Sequence, residues 1–292
     1  MLKLYASDIF GKNLVRKVDF ELLTFNGGEP HVKIPEEKEL MFCIEARIQS
    51  FNDLGELFVL CDALTRAGKY IGHIRVPYFP GARQDRVANK GEALTAKVYA
   101  DLFNELGCTI EIVDPHSDVT PALLNKYRLY PIENIVAKAI EDCKPDCIII
   151  PDEGASKRTR KYIESVNKIF EGSHVRCNNV NYNPTLVQCL KVRDTKTGKL
   201  TGFKVCSDED FTNKKLLVID DLCENGGTFL GLAQEFKKKS TCSLNLYFTH
   251  GILPKGQENL DSLYQYFDKI YSTDSFNNNL SSSDKFIVYP LY

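Results

Sequence analysis

Residues 216–228, reading LLVIDDLCENGGT, constrain this chain more than any other stretch. Four consecutive apolar residues, Leu216, Leu217, Val218 and Ile219, have the composition of a strand buried on both faces. Asp220 and Asp221 follow at once. The glycine turn Glu224-Asn225-Gly226-Gly227-Thr228 comes next, and then Phe229, Leu232 and Phe236 recur at helical spacing. A strand that runs through a glycine turn into a helix turns free backbone N–H groups toward one point. Such a point favours an anion, most often a phosphate. Two carboxylates beside it repel a bare phosphate. The conflict resolves if the ligand also carries neighbouring hydroxyls, which carboxylates accept, or a metal ion. A sugar phosphate brings both a phosphate and a diol. An ordinary strand end with a solvated acidic turn has the same letters, so the stretch needs support from the rest of the chain.

The rest of the chain repeats the same alternation. Residues 18–25 and 40–48 read as extended. Residues 51–67 read as a helix with Phe51, Leu54, Phe58, Cys61 and Leu64 on one side, and residues 71–76 as a strand. A helix over 93–106 and a strand over 109–113 follow. The pattern then begins again: helix 135–143, strand 147–150, basic helix 156–166, the strand at 216–219, helix 228–239 and strand 244–249. Repeated strand–helix alternation predicts an α/β fold of mostly parallel sheets flanked by helices. Two such runs predict two similar domains, residues 1–132 and 133–292. The last strand is a candidate to return to the first domain. Residues 187–203 read as a polar hairpin with Thr197-Gly198-Lys199 at its tip, and residues 277–284 as an Asn/Ser loop.

Composition narrows the partners. With 37 Lys+Arg against 39 Asp+Glu, the net charge of -2 argues against a protein that binds nucleic acid by neutralising phosphates in bulk. No apolar run reaches bilayer length, so no membrane partner is expected. The chain opens Met-Leu-Lys-Leu-Tyr, a short strand rather than a signal peptide. The 10 cysteines form no Cys-x-x-Cys pair and mostly sit in apolar runs. They read as small buried hydrophobes of a cytoplasmic protein.

A second motif follows the strand at 71–76: Val76-Pro77-Tyr78-Phe79-Pro80-Gly81-Ala82-Arg83-Gln84-Asp85-Arg86. It leaves Arg83 and Arg86 at the C-terminal edge of a parallel sheet, where open α/β sheets bind ligands. Guanidinium groups there can grip a polyphosphate with forked hydrogen bonds. This segment resembles the Pro-x-Phe-x-x-Ala-Arg-Gln-Asp segment of ribose-phosphate pyrophosphokinases (PRPP synthetases), and residues 220–228 resemble their sugar-phosphate loop. The resemblance continues through Phe25-Asn26-Gly27-Gly28-Glu29, Asn52-Asp53-Leu54 and Leu94-Thr95-Ala96-Lys97. It includes Asp114-Pro115-His116, the run from Pro151-Asp152 to Lys157-Arg158, and Thr249-His250-Gly251.

That resemblance implies Mg²⁺-dependent transfer of the β,γ-diphosphoryl group of ATP to the anomeric hydroxyl of ribose 5-phosphate. It also implies two phosphoribosyltransferase-like domains with ATP at their junction. By position, Phe25, Glu29, Arg83, Gln84 and Arg86 match the ATP side. Asp220, Asp221, Glu224, Asn225, Gly226, Gly227 and Thr228 match the sugar-phosphate loop. His116 and Asp152 match the metal ligands. Lys191 and Arg193 match the catalytic Lys-x-Arg. In the family the adenine contacts come from a neighbouring subunit, which implies a homo-oligomer, a dimer or larger.

The chain departs from the family where the loop usually reads Asp-Thr-x-Gly-Thr, here Glu224-Asn225-Gly226-Gly227-Thr228. It also has Gly27 where the family often has Asp or Asn, and it ends soon after Val288-Tyr289. The altered loop opens an alternative acceptor, a 5-substituted ribose such as ADP-ribose, whose adenine would need extra room beyond Gly226 and Gly227, which small residues can provide. A catalytically silent regulatory subunit of the same family is the other alternative.

Overall fold

The computed structural model describes residues 1–8, 14–172, 184–193, 200–277 and 280–292, so the expected hairpin tip at Thr197-Gly198-Lys199 lies outside the described residues. The chain divides into two compact units, Met1–Tyr130 and Pro131–Tyr292.

The first unit opens with strands β1 (Leu2–Ser7) and β2 (Leu14–Val18), a small hairpin of β3 (Glu21–Thr24) and β4 (Pro30–Lys33), and β5 (Met41–Ala46). Helix α1 (Phe51–Arg66), β6 (Tyr70–Val76), α2 (Thr95–Glu105), β7 (Thr109–Ile112), α3 (Val119–Leu123) and β8 (Tyr127–Leu129) follow. The sheet order is β2-β1-β5-β6-β7-β8, with β5 to β8 parallel and β1 antiparallel to both its neighbours. The extended run expected over 18–25 is split between two sheets, because β2 ends at Val18 and β3 starts a separate hairpin. Helix α1 begins in a reciprocal capping box: Ser50 Oγ accepts from Asp53 N–H at 3.2 Å, and Asp53 Oδ2 accepts from Ser50 N–H at 2.7 Å. Its Leu54, Leu57, Leu60 and Leu64 join Ile44, Ile74 and Ile110 of the sheet in one apolar core.

Period-2 alternation then places charge on the opposite side of these strands. Lys3, Glu45, Arg75, Glu111 and Arg128 stand side by side across five strands. Lys3 Nζ lies 3.0 Å from Glu45 Oε1, and Arg75 Nε and Arg128 Nε lie 3.2 and 2.6 Å from the two oxygens of Glu111. Each buried carboxylate thus has a cation, as burial demands.

The second unit runs α4 (Glu133–Cys143), β9 (Cys147–Ile150), α5 (Glu153–Gly172), β10 (Thr185–Arg193), β11 (Leu200–Cys206), β12 (Lys215–Cys223), α6 (Gly227–Lys239), β13 (Ser243–Gly251), α7 (Gln257–Tyr264), β14 (Lys269–Thr273) and β15 (Phe286–Tyr289). Its sheet order is β11-β10-β9-β12-β13-β14-β15, parallel except for the β10–β11 hairpin. The last strand therefore pairs with β14 inside this unit, anchored by Tyr289 Oη donating to Asp142 Oδ2 at 2.5 Å, and does not return to the first unit. Leu216, Val218, Phe229, Leu232, Phe236, Leu244, Leu246 and Phe248 are fully buried in a second apolar core. Two units, each a mostly parallel sheet flanked by helices, give the α/β class the sequence predicts. Among the described residues no helix is long and apolar enough to cross a membrane.

Candidate functional site

In the second unit the sheet edge is built by three strand ends. Strand β12 does not stop at Ile219 but continues through Asp220 and Asp221 to Cys223, paired with β13 as far as Cys223↔Gly251. The acids are thus strand residues. Asp221 and Asp220 share one guanidinium: Arg158 Nη1, from α5, lies 2.7 Å from Asp221 Oδ1 and 3.3 Å from Asp220 Oδ1. Asp221 N–H also donates to Asp220 Oδ1 at 2.9 Å. The side chains of Arg158, Asp220 and Asp221 are only 14%, 14% and 6% exposed. Burial above all, and then the charge of Asp221, pushes the Asp220 carboxyl well above the usual range, against the pull of Arg158. The family resemblance assigns no role to Arg158. Only the fold brings α5 to the end of β12, so spacing along the chain could not reveal this contact.

The turn after β12 is shaped by Gly226. It caps α6 at φ +78, a left-handed conformation that costs other residues strain. A Cβ at Gly226 would lie 3.1 Å from Leu263 Cδ2 of α7. Gly226 therefore serves the turn and the packing of α7, because Leu263 fills the side where its Cβ would stand. At Gly227 a Cβ would meet nothing within 4 Å, so that position does open outward. Asn225 and Gly227 are exposed, and Glu224 and Thr228 are half-buried.

Asp152 stands just after β9 and caps α5: its Oδ1 accepts from Ala155 N–H at 3.0 Å. Its Oδ2 accepts from Lys191 Nζ at 2.6 Å. Burial would raise the Asp152 carboxyl, but the Lys191 hydrogen bond and charge outweigh it and hold the group below the usual range. The expected hairpin is present as β10 and β11, with Lys191 opposite Phe203. Arg193 is the last residue of β10, paired with Leu200, and its side chain lies outside the described residues.

In the first unit the loop after β6 is folded by Gly81. It sits at φ +73, and a Cβ there would approach Tyr99 Cδ2 to 3.0 Å and Thr95 Cγ2 to 3.1 Å. Glycine thus lets the loop lie on the start of α2. Phe79 and Ala82 are buried beneath it, and the Gln84 carbonyl accepts from Ala96 N–H at 3.1 Å, capping a helix start that has no side-chain cap. Arg83, Gln84 and Arg86 are left exposed. Asp85 accepts from Ser117 Oγ at 2.6 Å, which ties this loop to the one bearing exposed His116. That second loop follows Asp114, a buried residue at φ +42, a strained conformation costing about 1–3 kcal/mol. Phe25, 59% exposed, and Glu29 close the β3–β4 turn through a Phe25 N–H to Glu29 carbonyl bond of 2.9 Å.

Among the described residues no three His, Cys, Asp or Glu side chains converge as a metal cage. A magnesium ion held mainly by substrate phosphates needs only one or two protein oxygens, so Asp152 still suits it as a ligand.

The sequence model of the N-terminal domain of ribose phosphate pyrophosphokinase matches residues 3–107. The ribose-phosphate pyrophosphokinase of Thermosipho africanus is 27% identical over 99% of this chain and 87% of its own length. That of Mycoplasmopsis pulmonis is 26% identical over 78% of this chain, and the match spans 66% of the relative. The structure of phosphoribosylpyrophosphate synthetase from Mycobacterium smegmatis shares the fold, with a TM-score of 0.74 at 20% identity over 95% of this chain and 87% of that one. The protein thus shares that two-unit α/β fold, and its second unit carries an acidic strand end beside a helix-opening glycine turn. Over nearly its whole length the chain is similar to ribose-phosphate pyrophosphokinases.

Proposed function

We propose that the protein transfers the β,γ-diphosphoryl group of ATP to the anomeric hydroxyl of ribose 5-phosphate, releasing AMP and forming phosphoribosyl diphosphate. The observation that carries this reading is the sheet edge of the second unit. There Asp220 and Asp221, held by Arg158, run into the turn that opens α6, and Lys191 stands at Asp152 of the same unit. The carboxylates accept the ribose hydroxyls, and the N–H groups of residues 225–228 hold the 5-phosphate. Arg158 neutralises one of the two charges, which lowers the repulsion between the acids and the phosphate. Arg83, Gln84 and Arg86 grip the ATP phosphates, and Phe25 and Glu29 hold the adenine of a neighbouring copy in a homo-oligomer.

The anomeric oxygen attacks the β-phosphorus, the bond to the α-phosphate oxygen breaks, and the hydroxyl proton leaves to solvent. Phosphoryl transfer of this kind asks the protein for positioning and positive charge rather than covalent chemistry. Lys191 and Arg193 supply that charge at the transferred group. Asp152 would hold Mg²⁺, which would neutralise the polyphosphate and orient it. The free thiols of the described residues and the ATP substrate suit a cytoplasmic setting.

A second acceptor reading, a 5-substituted ribose such as ADP-ribose, is favoured by the open space in front of Gly227 and by Glu224-Asn225 in the loop. Incubation with ATP, Mg²⁺ and either acceptor tests both readings. AMP formed with ribose 5-phosphate supports the first, and AMP formed only with ADP-ribose replaces it by the second. AMP with neither makes the chain a silent subunit and overturns both.

A further inference from the structure

Two cations of different kinds stand against the acids of the second unit. Arg158 belongs to α5, in the body of the unit, and grips Asp220 and Asp221. Lys191 belongs to β10 beyond its last pairing with β9, which is Gln188↔Ile150, and there β10 pairs with β11. Both oxygens of Asp152 are engaged, Oδ1 by Ala155 N–H and Oδ2 by Lys191 Nζ at 2.6 Å. A magnesium ion bonds oxygen at about 2.0–2.1 Å, and its two positive charges repel an ammonium group that shares the same carboxylate oxygen. Lys191 and a metal therefore compete for one atom.

We propose that Lys191 is the stand-in counter-ion of Asp152, and that a divalent cation and Lys191 occupy Oδ2 alternately, so that metal loading releases the lysine toward the phosphates. This rests on the functional reading above, since it takes Asp152 as a metal ligand and Lys191 as the phosphate-facing cation. Before loading, the carboxylate is not left as a bare buried charge, and Lys191 is held away from any phosphate that arrives without metal. Reciprocity is required: whatever the metal does to Lys191, Lys191 does to metal affinity.

The test uses the full chain without nucleotide. The rate of acetylation of Lys191 is followed by mass spectrometry, with potassium at equal ionic strength as the control for Mg²⁺. Asn at 152 keeps the acceptor for Ala155 N–H, so Asp152→Asn removes the charge while sparing the helix cap. Asp152→Asn should speed Lys191 labelling about three-fold, the scale of a half-exposed ion pair. Saturating Mg²⁺ should do the same to the wild type and nothing further to Asp152→Asn. Independently, Lys191→Met should tighten Mn²⁺ binding about three-fold by electron paramagnetic resonance. Unchanged labelling in Asp152→Asn, an equal Mg²⁺ response in both proteins, or weaker Mn²⁺ binding in Lys191→Met would each overturn the exchange. AMP formation is measured alongside on the wild type. AMP without a labelling response sinks the exchange alone, whereas a labelling response without AMP sinks the functional reading alone.

Discussion

Gly226 and Gly227 are neighbours with opposite jobs, and exchanging each for alanine separates them. Gly226 sits at φ +78 with Leu263 Cδ2 3.1 Å from the place of a Cβ. The left-handed conformation costs an L-residue about 1–2 kcal/mol. The contact adds the low end of the overpacking range, about 1 kcal/mol, because a leucine methyl can move a few tenths of an ångström. Gly226→Ala should therefore destabilise the second unit by about 2–3 kcal/mol, or about 4–12 °C in Tm for a domain of this size. Shortening Leu263 in a Gly226→Ala/Leu263→Val double variant should relieve the contact but not the backbone strain, leaving Gly226→Ala only partly rescued. Gly227 has no positive φ and nothing within 4 Å of a Cβ. Gly227→Ala, at the first position of α6, should be neutral or stabilising by up to about 1 kcal/mol. It should nonetheless raise KM for the sugar phosphate, since its methyl points to the open side. Thermal unfolding by circular dichroism and steady-state kinetics read both effects. Equal losses of Tm in the two variants, or no loss in Gly226→Ala, would refute the assignment of roles.

Other perturbations follow from the same geometry. Arg158→Met leaves Asp220 and Asp221 without their shared cation and should cost about 3 kcal/mol of stability. KM for the sugar phosphate should rise with KM for ATP unchanged, and Arg158→Lys should recover part of the loss; steady-state kinetics with each substrate varied checks this. Lys191→Ala should leave nucleotide affinity by calorimetry nearly intact while turnover falls at least about 100-fold. Asp53 is held below its usual pKa: burial opposes this, but the Ser50 hydroxyl, the Gln49 and Ser50 amides and the N-terminal ammonium outweigh it. Its stabilisation is thus present above the ordinary carboxylate range and lost as pH falls through the lowered value. Asp53→Ala should cost about 1 kcal/mol at pH 7 and progressively less below pH 4, measured by urea titration.

The alternation of buried strands and amphipathic helices was readable because both signals are local: Ile148-Ile149-Ile150 and Leu217-Val218-Ile219 can scarcely be anything but central strands. Boundaries were less readable where pairing decides them. Asp220 and Asp221 are polar, so nothing in their letters shows that β12 carries them in register with Phe248 and beyond. The same holds for Glu153, which opens α5 because Asp152 caps it. The ladder from Lys3 to Arg128 spans 125 positions of sequence and exists only once five strands are in register. At the candidate site, motif resemblance names loops but not the ion pairs within them. The 32 residues between Arg158 and Lys191 give no hint that both serve as counter-ions to acids of one sheet edge. A glycine's job is not legible in its letter: Leu263 fills the side where a Gly226 Cβ would stand, while Gly227 opens outward.

The most direct test of the functional account follows the fate of two phosphorus atoms. ATP labelled at either the β or the γ position is offered with Mg²⁺ and ribose 5-phosphate, and the products are separated. Diphosphoryl transfer predicts that both labels travel together to the sugar C1 oxygen, with unlabelled AMP released. A β label left in ADP while the γ label moves alone would show ordinary single-phosphoryl transfer and contradict the account.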